Sequence, residues 1–271
     1  AYKKRFYLMN SSKSENNLNK GQIDHLQILR DKVFEIDKYP SFSLLLDGVE
    51  YILKTLDKEN KNICLLERTK LYGSSLFGGL FRNANVISFD CSPSSAKDRG
   101  SYNNFMINHN NFITYKNISE LKQDLTFNLP ANEYDAIFIP NLVHHFKNQN
   151  DLFSNCYKSL KNFGELIIFE PTIREIHQSP HDYIRYTPYG MQQIFKDYHL
   201  KEIKCKEQGD SFEALNYILN VMQAKREDKD FSDWCNQIKS KIDNFKEGKK
   251  DIVKDHARFP TSFLCQGIKQ I

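Results

Sequence analysis

The chain has 271 residues, of which 40% are hydrophobic, enough for one large α/β domain with elaborations or for two small domains. Lys and Arg (38) slightly outnumber Asp and Glu (34), and this +4 excess is spread along the chain, which is typical of a solvated surface and argues against a nucleic-acid interface. No apolar run approaches the ~18 residues of a membrane span, and the six cysteines form no CxxC pair. We therefore expect a soluble, cytoplasmic protein with reduced thiols.

The first sixty residues contain two helical patterns, IDHLQILRDKVF and SFSLLLDGVEYILKTL, and predict an N-terminal helical cap (1–60). Short apolar runs then predict two buried strands, Ile63 to Leu66 and Val86 to Phe89, with a short helix at Ser74 to Arg82 between them. Asp90 follows the second strand, where one carboxylate can accept hydrogen bonds from both hydroxyls of a ribose. A turn Asp is the alternative interpretation of this residue.

After a polar turn, Phe112 to Lys116 predicts a third strand. The stretch YDAIFIPNLVHHFKNQNDLFSNCYKSLKNFGELIIFEP (134–171) then predicts a complete strand–helix–strand unit. Ala136 to Ile139 and Leu166 to Phe169 are continuous apolar runs, the pattern of parallel strands covered on both faces. Between them apolar residues recur at helical spacing, with Asn150 as the candidate cap and Gly164 just past the helix end.

Polar residues stand where these two strands end. Asn141, His144 and His145 follow the first strand, and Glu170 follows the second. Because ligands in open α/β sheets bind outside the carboxyl ends of the strands, we expect these side chains to share a crevice.

Beyond Glu170, Thr187 is a predicted helix cap and Pro188 a first-turn residue. The loop before this cap is dense in polar and aromatic groups suited to binding a small molecule: His177, His181, Asp182, Tyr183, Arg185 and Tyr186. His177 and His181 are four residues apart, but Pro180 between them argues against a metal-binding pair on one helical face. We therefore predict no metal site.

The remaining sequence predicts a sixth strand at Leu200 to Lys206, a charged helical insertion and a terminal strand at Ser262 to Ile268. The predicted organisation is thus a single domain with a core at 61–208, a helical insertion at 209–257 and a last strand within 258–271.

Three of these stretches, in this order, resemble class I S-adenosylmethionine-dependent methyltransferases. YDAIFIPNLVHHF is similar to their fourth strand and following loop, and GELIIFEP to their fifth. HDYIRYTPYGMQQIF is similar to a segment after the fifth strand in many members that act on small molecules and sugars. The resemblance covers roughly residues 60–208. It implies an α/β, Rossmann-like sheet, mostly parallel with an antiparallel last strand and helices on both faces, and S-adenosylmethionine as the cofactor.

The same resemblance implies a set of cofactor-binding residues: Glu67, Gly73, Asp90, Asn117 and Asn141. Asp90 would bind the ribose, and Asn117 stands where the family often places an Asp that contacts the adenine amino group. The first loop departs from the family, because LLERTKLYGSS has Thr69 and Leu71 at two glycine positions, where side chains would narrow the pocket or reshape the turn. Two of these residues have an alternative interpretation without a cofactor: Glu67 as a surface acid near a helix N-terminus, and Asn117 as an ordinary loop residue.

The implied reaction is direct methyl transfer to an acceptor oxygen or nitrogen, with His181 or His145 as candidate general base. Either histidine could instead orient or pack under the loop. Tyr183, Arg185 and Tyr186 are the candidate acceptor contacts.

By family context we expect O-methylation of a small polar molecule or of a sugar in a surface polysaccharide pathway. A catalytically silent methyltransferase-like scaffold is the alternative that the altered glycine turn suggests. An RNA methyltransferase fits the isoelectric point of about 8.6 but lacks a recognisable RNA-binding module. Whether the protein forms a homo-oligomer is left open by the sequence.

Overall fold

The fold is taken from a computed structural model that describes residues 26–27, 42–57, 61–68, 84–89, 113–115, 129–176, 182–248 and 259–270. Seven strands form one sheet: β1 (Ile63–Arg68), β2 (Ala84–Phe89), β3 (Ile113–Tyr115), β4 (Tyr134–Pro140), β5 (Leu160–Pro171), β6 (Leu200–Gln208) and β7 (Ser262–Lys269). Their order across the sheet is β3-β2-β1-β4-β5-β7-β6.

The first five strands pair in parallel, whereas β7 lies between β5 and β6 and is antiparallel to both. The predicted sheet, mostly parallel with an antiparallel last strand, is therefore confirmed. The predicted third strand is present but shorter than expected, since β3 has only three residues.

Five helices accompany the sheet in the described ranges: α1 (Phe42–Ile52), α2 (Gln149–Ser159), α3 (Pro188–Asp197), α4 (Ser211–Ala224) and α5 (Lys229–Gly248). A π-helical stretch, Leu53–Asp57, continues α1. Thr187 caps α3 as predicted, because its side chain accepts a hydrogen bond from the backbone N–H of Gly190, and Pro188 occupies the first turn.

The sheet is covered on both faces, which explains the continuous apolar runs 136–139 in β4 and 166–169 in β5. On one face, Leu44, Leu45 and Leu46 of α1 pack in a core that includes Phe138 and Leu264. On the other face, α2 and α3 contribute to a core with alternate residues of the same strands: Cys64, Leu66, Ile137, Ile139, Leu166, Ile168, Phe263 and Cys265. The described part of the predicted N-terminal cap, residues 42–57, thus packs into the core of the sheet, and the division of the chain into segments stays a prediction.

Two details of the strand–helix–strand unit differ from expectation. Asn148, not Asn150, caps α2, since its side chain accepts a hydrogen bond from the backbone N–H of Asp151. Gly164 does not follow the helix end but lies inside β5, where a Cβ atom would stand 2.9 Å from the carbonyl oxygen of Lys161. The glycine is therefore needed for a close backbone approach rather than for a helix cap.

The cap assignment predicts a stability difference between neighbouring asparagines. Asn148→Ala should lower the free energy of unfolding by about 1 kcal/mol, because a backbone N–H of the first turn loses its acceptor. Asn150→Ala should change it by less than ~0.5 kcal/mol, since the exposed Asn150 accepts a hydrogen bond from the Tyr198 hydroxyl only. Urea denaturation of both variants measures this, and an equal loss in the two would contradict the assignment.

The predicted helical insertion is confirmed as α4 and α5, which pack on each other through Leu219, Cys235 and Ile242. The helix predicted at Ser74 to Arg82 and most of IDHLQILRDKVF lie outside the described residues. Five cysteines are within them, and all are unpaired thiols: Cys64, Cys156, Cys205, Cys235 and Cys265. None of the helices in the described ranges has the length and apolar character needed to cross a bilayer.

Candidate active site

The sheet has a switch point between β1 and β4, where the strand order reverses. β1 and β4 pair in parallel with Leu65 opposite Phe138, so the backbone of Glu67 lies level with the last residue of β4. In open α/β sheets the crevice at such a point, outside the carboxyl ends of the strands, is where ligands bind. The predicted cofactor residues Glu67 and Asn141 therefore belong to strand ends that flank this crevice.

Asn141 is held in a tight turn directly after β4. Its φ of 54° is in the left-handed region, which Asn tolerates better than most residues. Its backbone N–H donates to the carbonyl oxygen of Phe169 at 2.7 Å, and its Oδ1 accepts from Arg174 Nη1 at 3.3 Å. The turn is thereby fixed against the end of β5, level with Glu170.

A buried carboxyl group joins the two strand ends. Glu170 Oε1 accepts a hydrogen bond from the backbone N–H of Val143 at 2.6 Å, and Oε2 lies 2.6 Å from His144 Nδ1. The side chains of His144 and Glu170 are only 1% and 2% exposed. The carboxyl group thus binds the 3₁₀ turn Val143–His145 to the neighbouring strand.

Burial raises the pKa of Glu170 to about 8, against the opposing effects of the Val143 and Leu142 N–H groups and of the Arg185 and Arg174 guanidinium groups. The neutral form of Glu170 is therefore favoured in the folded protein. Strongly perturbed groups at the mouth of a crevice are frequent at functional sites.

The raised pKa of Glu170 predicts a pH dependence of stability. Between the ordinary value of 4.5 and about 8, the folded protein holds the Glu170 proton and the unfolded chain does not. The free energy of unfolding should therefore fall as the pH rises through this window, and Glu170→Gln should flatten the decline. Urea denaturation from pH 5 to 9 measures the slope, and equal slopes in the two proteins would refute the assignment.

His145 is one of the two candidate bases, and it lies within the described residues. It is 4% exposed, and its ring centroid lies 4.0 Å from that of His144. Its backbone N–H donates to the carbonyl oxygen of Leu142 at 3.0 Å, which closes the 3₁₀ turn. His145 thus stands on the turn that Glu170 binds.

The loop before α3 packs against the same turn, as expected of an acceptor-side segment. The backbone N–H of Tyr183 donates to the carbonyl oxygen of His144 at 2.9 Å. Arg185 forms a two-bond ion pair with Asp182, with Nη2 at 2.7 Å from Oδ2, and also donates to the carbonyl oxygen of Glu175 at 3.2 Å. The guanidinium group is therefore held in a fixed orientation beside the strand end.

Two tyrosines complete this side. Burial, with Glu170 and Tyr198 nearby, raises the pKa of the half-buried Tyr186. Tyr217 of α4 donates a short hydrogen bond to Glu175, so the helical insertion reaches the segment that follows β5.

The sequence did not indicate roles for Tyr217 and Arg174, and it gave His144 and Glu170 no chemical role. For Tyr217 the available signal was its helical spacing from Ala214, since both residues are buried on one face of α4.

Several predicted site residues lie outside the described part of the chain: Gly73, Asp90, Asn117, His181 and His177. The backbone of Glu67 is described, but its side chain is not. Across the described ranges, no group of three or more His, Cys, Asp or Glu side chains is arranged to hold a metal ion.

Comparison with known proteins adds family information to this geometry. Residues 73–168 match a family model described as a methyltransferase domain. A phosphoethanolamine N-methyltransferase of Plasmodium falciparum (isolate 3D7) is 31% identical over 129 residues, which cover 45% of this chain and 42% of that protein. The alignment thus spans less than half the length of this relative.

Solved structures with similar folds include two methyltransferases. A phosphoethanolamine N-methyltransferase 2 of Haemonchus contortus, in complex with S-adenosyl-L-methionine, has 15% identity and a TM-score of 0.46, covering 94% of this chain and 62% of that one. A putative sarcosine dimethylglycine methyltransferase of Galdieria sulphuraria has 17% identity and a TM-score of 0.44, covering 82% and 84%. Such low scores carry no information about substrate.

The sheet order and the buried polar residues after β4 and at the end of β5 define an α/β protein with polar groups at the edge of the sheet where ligands of such folds bind. Residues 73–168 of this chain are similar to a methyltransferase domain.

Proposed function

We propose that this chain transfers a methyl group from S-adenosylmethionine to a small polar acceptor. The observation that carries the proposal is the convergence of Asn141, His144, His145 and Glu170, all buried, at the carboxyl ends of β4 and β5. The residues just before them in each strand, 136–139 and 166–169, are apolar and buried, and most of this unit lies in the segment that matches a methyltransferase domain. Burying four polar residues costs free energy, so their concentration at one strand edge favours a functional role.

The cofactor would bind at the switch point, held by Glu67, Gly73, Asp90, Asn117 and Asn141. The described residues fit this, because the fixed Asn141 turn and the end of β1 border the crevice. When bound, S-adenosylmethionine supplies an electrophilic methyl group on its sulfonium. The chain would contribute alignment of the acceptor and exclusion of water, which account for most of the catalysis in such a direct transfer.

The acceptor would lie on the side of the 182–187 loop, against Tyr183, Arg185 and Tyr186. A buried polar atom of this loop, Arg185 Nε, makes no hydrogen bond in the structure, and neither do Thr172 Oγ1 after β5 and Asn216 Oδ1 of α4. Buried polar atoms in native proteins nearly always have a partner, so a bound molecule or ordered water is expected to supply it. Tyr217, the neighbour of Asn216 in sequence, contacts Glu175, so α4 reaches the segment after β5.

His145 would accept the proton that the acceptor loses as the methyl group arrives, with His181 as the second candidate. An imidazole serves this purpose well, since the ordinary pKa of histidine lies closer to neutral pH than that of any other side chain.

Two acceptor classes are proposed. The sequence resemblance favours an oxygen acceptor in the cytoplasm. This oxygen would belong to a small polar molecule or to a sugar of a surface polysaccharide pathway. A primary or methylated amine is favoured by the relative from Plasmodium falciparum, whose name gives a phosphoethanolamine nitrogen as its acceptor. The described site suits either, because each acceptor loses a proton on methylation.

The test is methyl transfer from radiolabelled S-adenosylmethionine to phosphoethanolamine, ethanolamine, a set of free and nucleotide-linked sugars, and total RNA. We expect labelling of one small-molecule class, and S-adenosylhomocysteine should bind in calorimetry. If S-adenosylhomocysteine does not bind, the silent scaffold becomes the better interpretation, consistent with Thr69 and Leu71 in the glycine turn. Labelling of RNA alone would replace the small-molecule proposal with RNA methylation.

A further inference from the structure

Glu170 contacts three successive residues of a single turn. Its Oε1 accepts from the Val143 N–H at 2.6 Å, its Oε2 lies 2.6 Å from His144 Nδ1, and the Leu142 N–H also donates to the carboxyl group. Because Glu170 belongs to β5 and the turn follows β4, these bonds cross between neighbouring strands.

The turn that Glu170 holds ends in His145. The His144 ring stands between the carboxyl group and His145, with the two imidazole centroids 4.0 Å apart and the ring planes tilted by 46°. The His144 carbonyl oxygen also receives the Tyr183 N–H at 2.9 Å, so the acceptor-side loop rests on the same residue. A displacement of His144 would therefore move both His145 and the loop.

A simple packing role does not explain a carboxyl group at this position. The three residues before Glu170 in β5 are Ile167, Ile168 and Phe169, and all are buried. Placing an ionisable group in such surroundings is costly unless every lone pair finds a donor, and the turn supplies those donors. A partner that accepts a hydrogen bond from one ring nitrogen of a histidine fixes the orientation of that ring, as carboxylates do for histidines at metal sites.

We propose that Glu170 is a positioning residue, which acts through His144 to place the His145 ring and the 182–187 loop for methyl transfer. The catalytic consequence of this inference rests on the proposed function. The placement of His145 by Glu170 does not depend on it. The carboxyl group itself need not touch cofactor or acceptor.

Glu170→Gln tests this with little change in volume. The backbone N–H groups of Val143 and Leu142 require an acceptor, so the amide oxygen should face them and the amide NH₂ should face His144. Nδ1 of His144 can then only accept a hydrogen bond, whereas an ionised carboxylate accepts one from a protonated Nδ1, so the tautomer and the ring orientation differ between the two proteins once Glu170 is ionised.

Glu165→Gln is the matched control. Glu165 is also a buried glutamate of β5, but it lies in the middle of the strand, where its Oε2 accepts from Tyr51 at 2.8 Å and from Gln266 at 2.6 Å. Both variants remove one buried carboxyl group from the same strand, and only one of them touches the His144–His145 turn.

The first readout is the ring resonances of His145 in spectra of histidine-labelled protein, assigned with His145→Gln. We expect these resonances to shift in Glu170→Gln and to stay in place in Glu165→Gln. The second readout is turnover with the acceptor found above, where kcat should fall about 10–100-fold with S-adenosylhomocysteine affinity unchanged. If Glu170→Gln does not fold, His144→Gln replaces it, because it removes the ring on which His145 packs.

Unchanged His145 resonances and unchanged kcat in a folded Glu170→Gln protein would overturn the inference. Equal losses in Glu165→Gln would also overturn it, since they would show a general effect of removing a buried carboxyl group. If the wild-type protein methylates none of the acceptors, the proposed function fails, while the His145 resonances still decide the placement.

Discussion

Replacing His145 by Gln should lower kcat for methyl transfer by about 10²–10⁴-fold, the usual effect of losing a general base. Gln is close to His in size and polarity but cannot take up a proton at neutral pH, so the proton of the acceptor would have to leave to water. His145 is 4% exposed, and water is therefore a poor substitute. The measurement is steady-state turnover with the acceptor found in the labelling screen, with S-adenosylhomocysteine affinity measured in parallel.

His199→Asn is the matched control for this experiment. His199 is exposed, lies between α3 and β6, and has a φ of 59°, which Asn adopts readily. It should turn over at the wild-type rate. A kcat close to wild type in His145→Gln would remove His145 from the chemistry and make His181→Gln the next variant to examine.

Replacing Asp90 by Ala should weaken S-adenosylhomocysteine binding by about 1.5–3 kcal/mol, the scale of hydrogen bonds to a charged group, or roughly 10- to 100-fold in Kd. β2 ends at Phe89 and pairs in parallel with β1, so both strands end at the carboxyl edge of the sheet. A ribose bound beside the switch point would be within reach of this edge. Calorimetry gives the affinity directly.

Asp243→Ala controls for the loss of one negative charge. Asp243 is exposed on α5, in the helical insertion, and its removal should leave the affinity unchanged. If Asp90→Ala binds S-adenosylhomocysteine as tightly as Asp243→Ala does, the ribose is held by other residues, and the resemblance would have assigned the wrong acid.

Local sequence was sufficient to predict most of the strands. In β4 and β5 the apolar runs 136–139 and 166–169 are continuous because both faces of the sheet are covered, which favours apolar residues at successive positions. The cap of α3 could also be predicted from local sequence, since Thr187 and Pro188 act through contacts within one helical turn. The cap of α2 was misplaced by two residues, because Asn148 and Asn150 have the same chemistry and only the start of the helix decides between them.

The role of Gly164 depended on a contact between strands. A glycine after a helical pattern is a common helix terminator, but here it lies in β5, where the carbonyl oxygen of Tyr134 leaves no space for a side chain. That contact joins residues thirty positions apart, and a local pattern contains no information about it.

The candidate site also has features that the sequence predicted and features that only the structure revealed. By itself the sequence determined the strand ends, the polar residues that follow them and the similarity of residues 73–168 to a methyltransferase domain, because each of these depends on near neighbours in the chain or on similarity along it. Only the tertiary structure decided that Glu170 binds the turn carrying His144, that Arg185 is held by Asp182 and Glu175, and that Tyr217 of the insertion reaches the segment after β5. The physical reason is that a hydrogen bond requires two atoms within about 3 Å, and sheet register and helix packing set that distance between residues far apart in sequence.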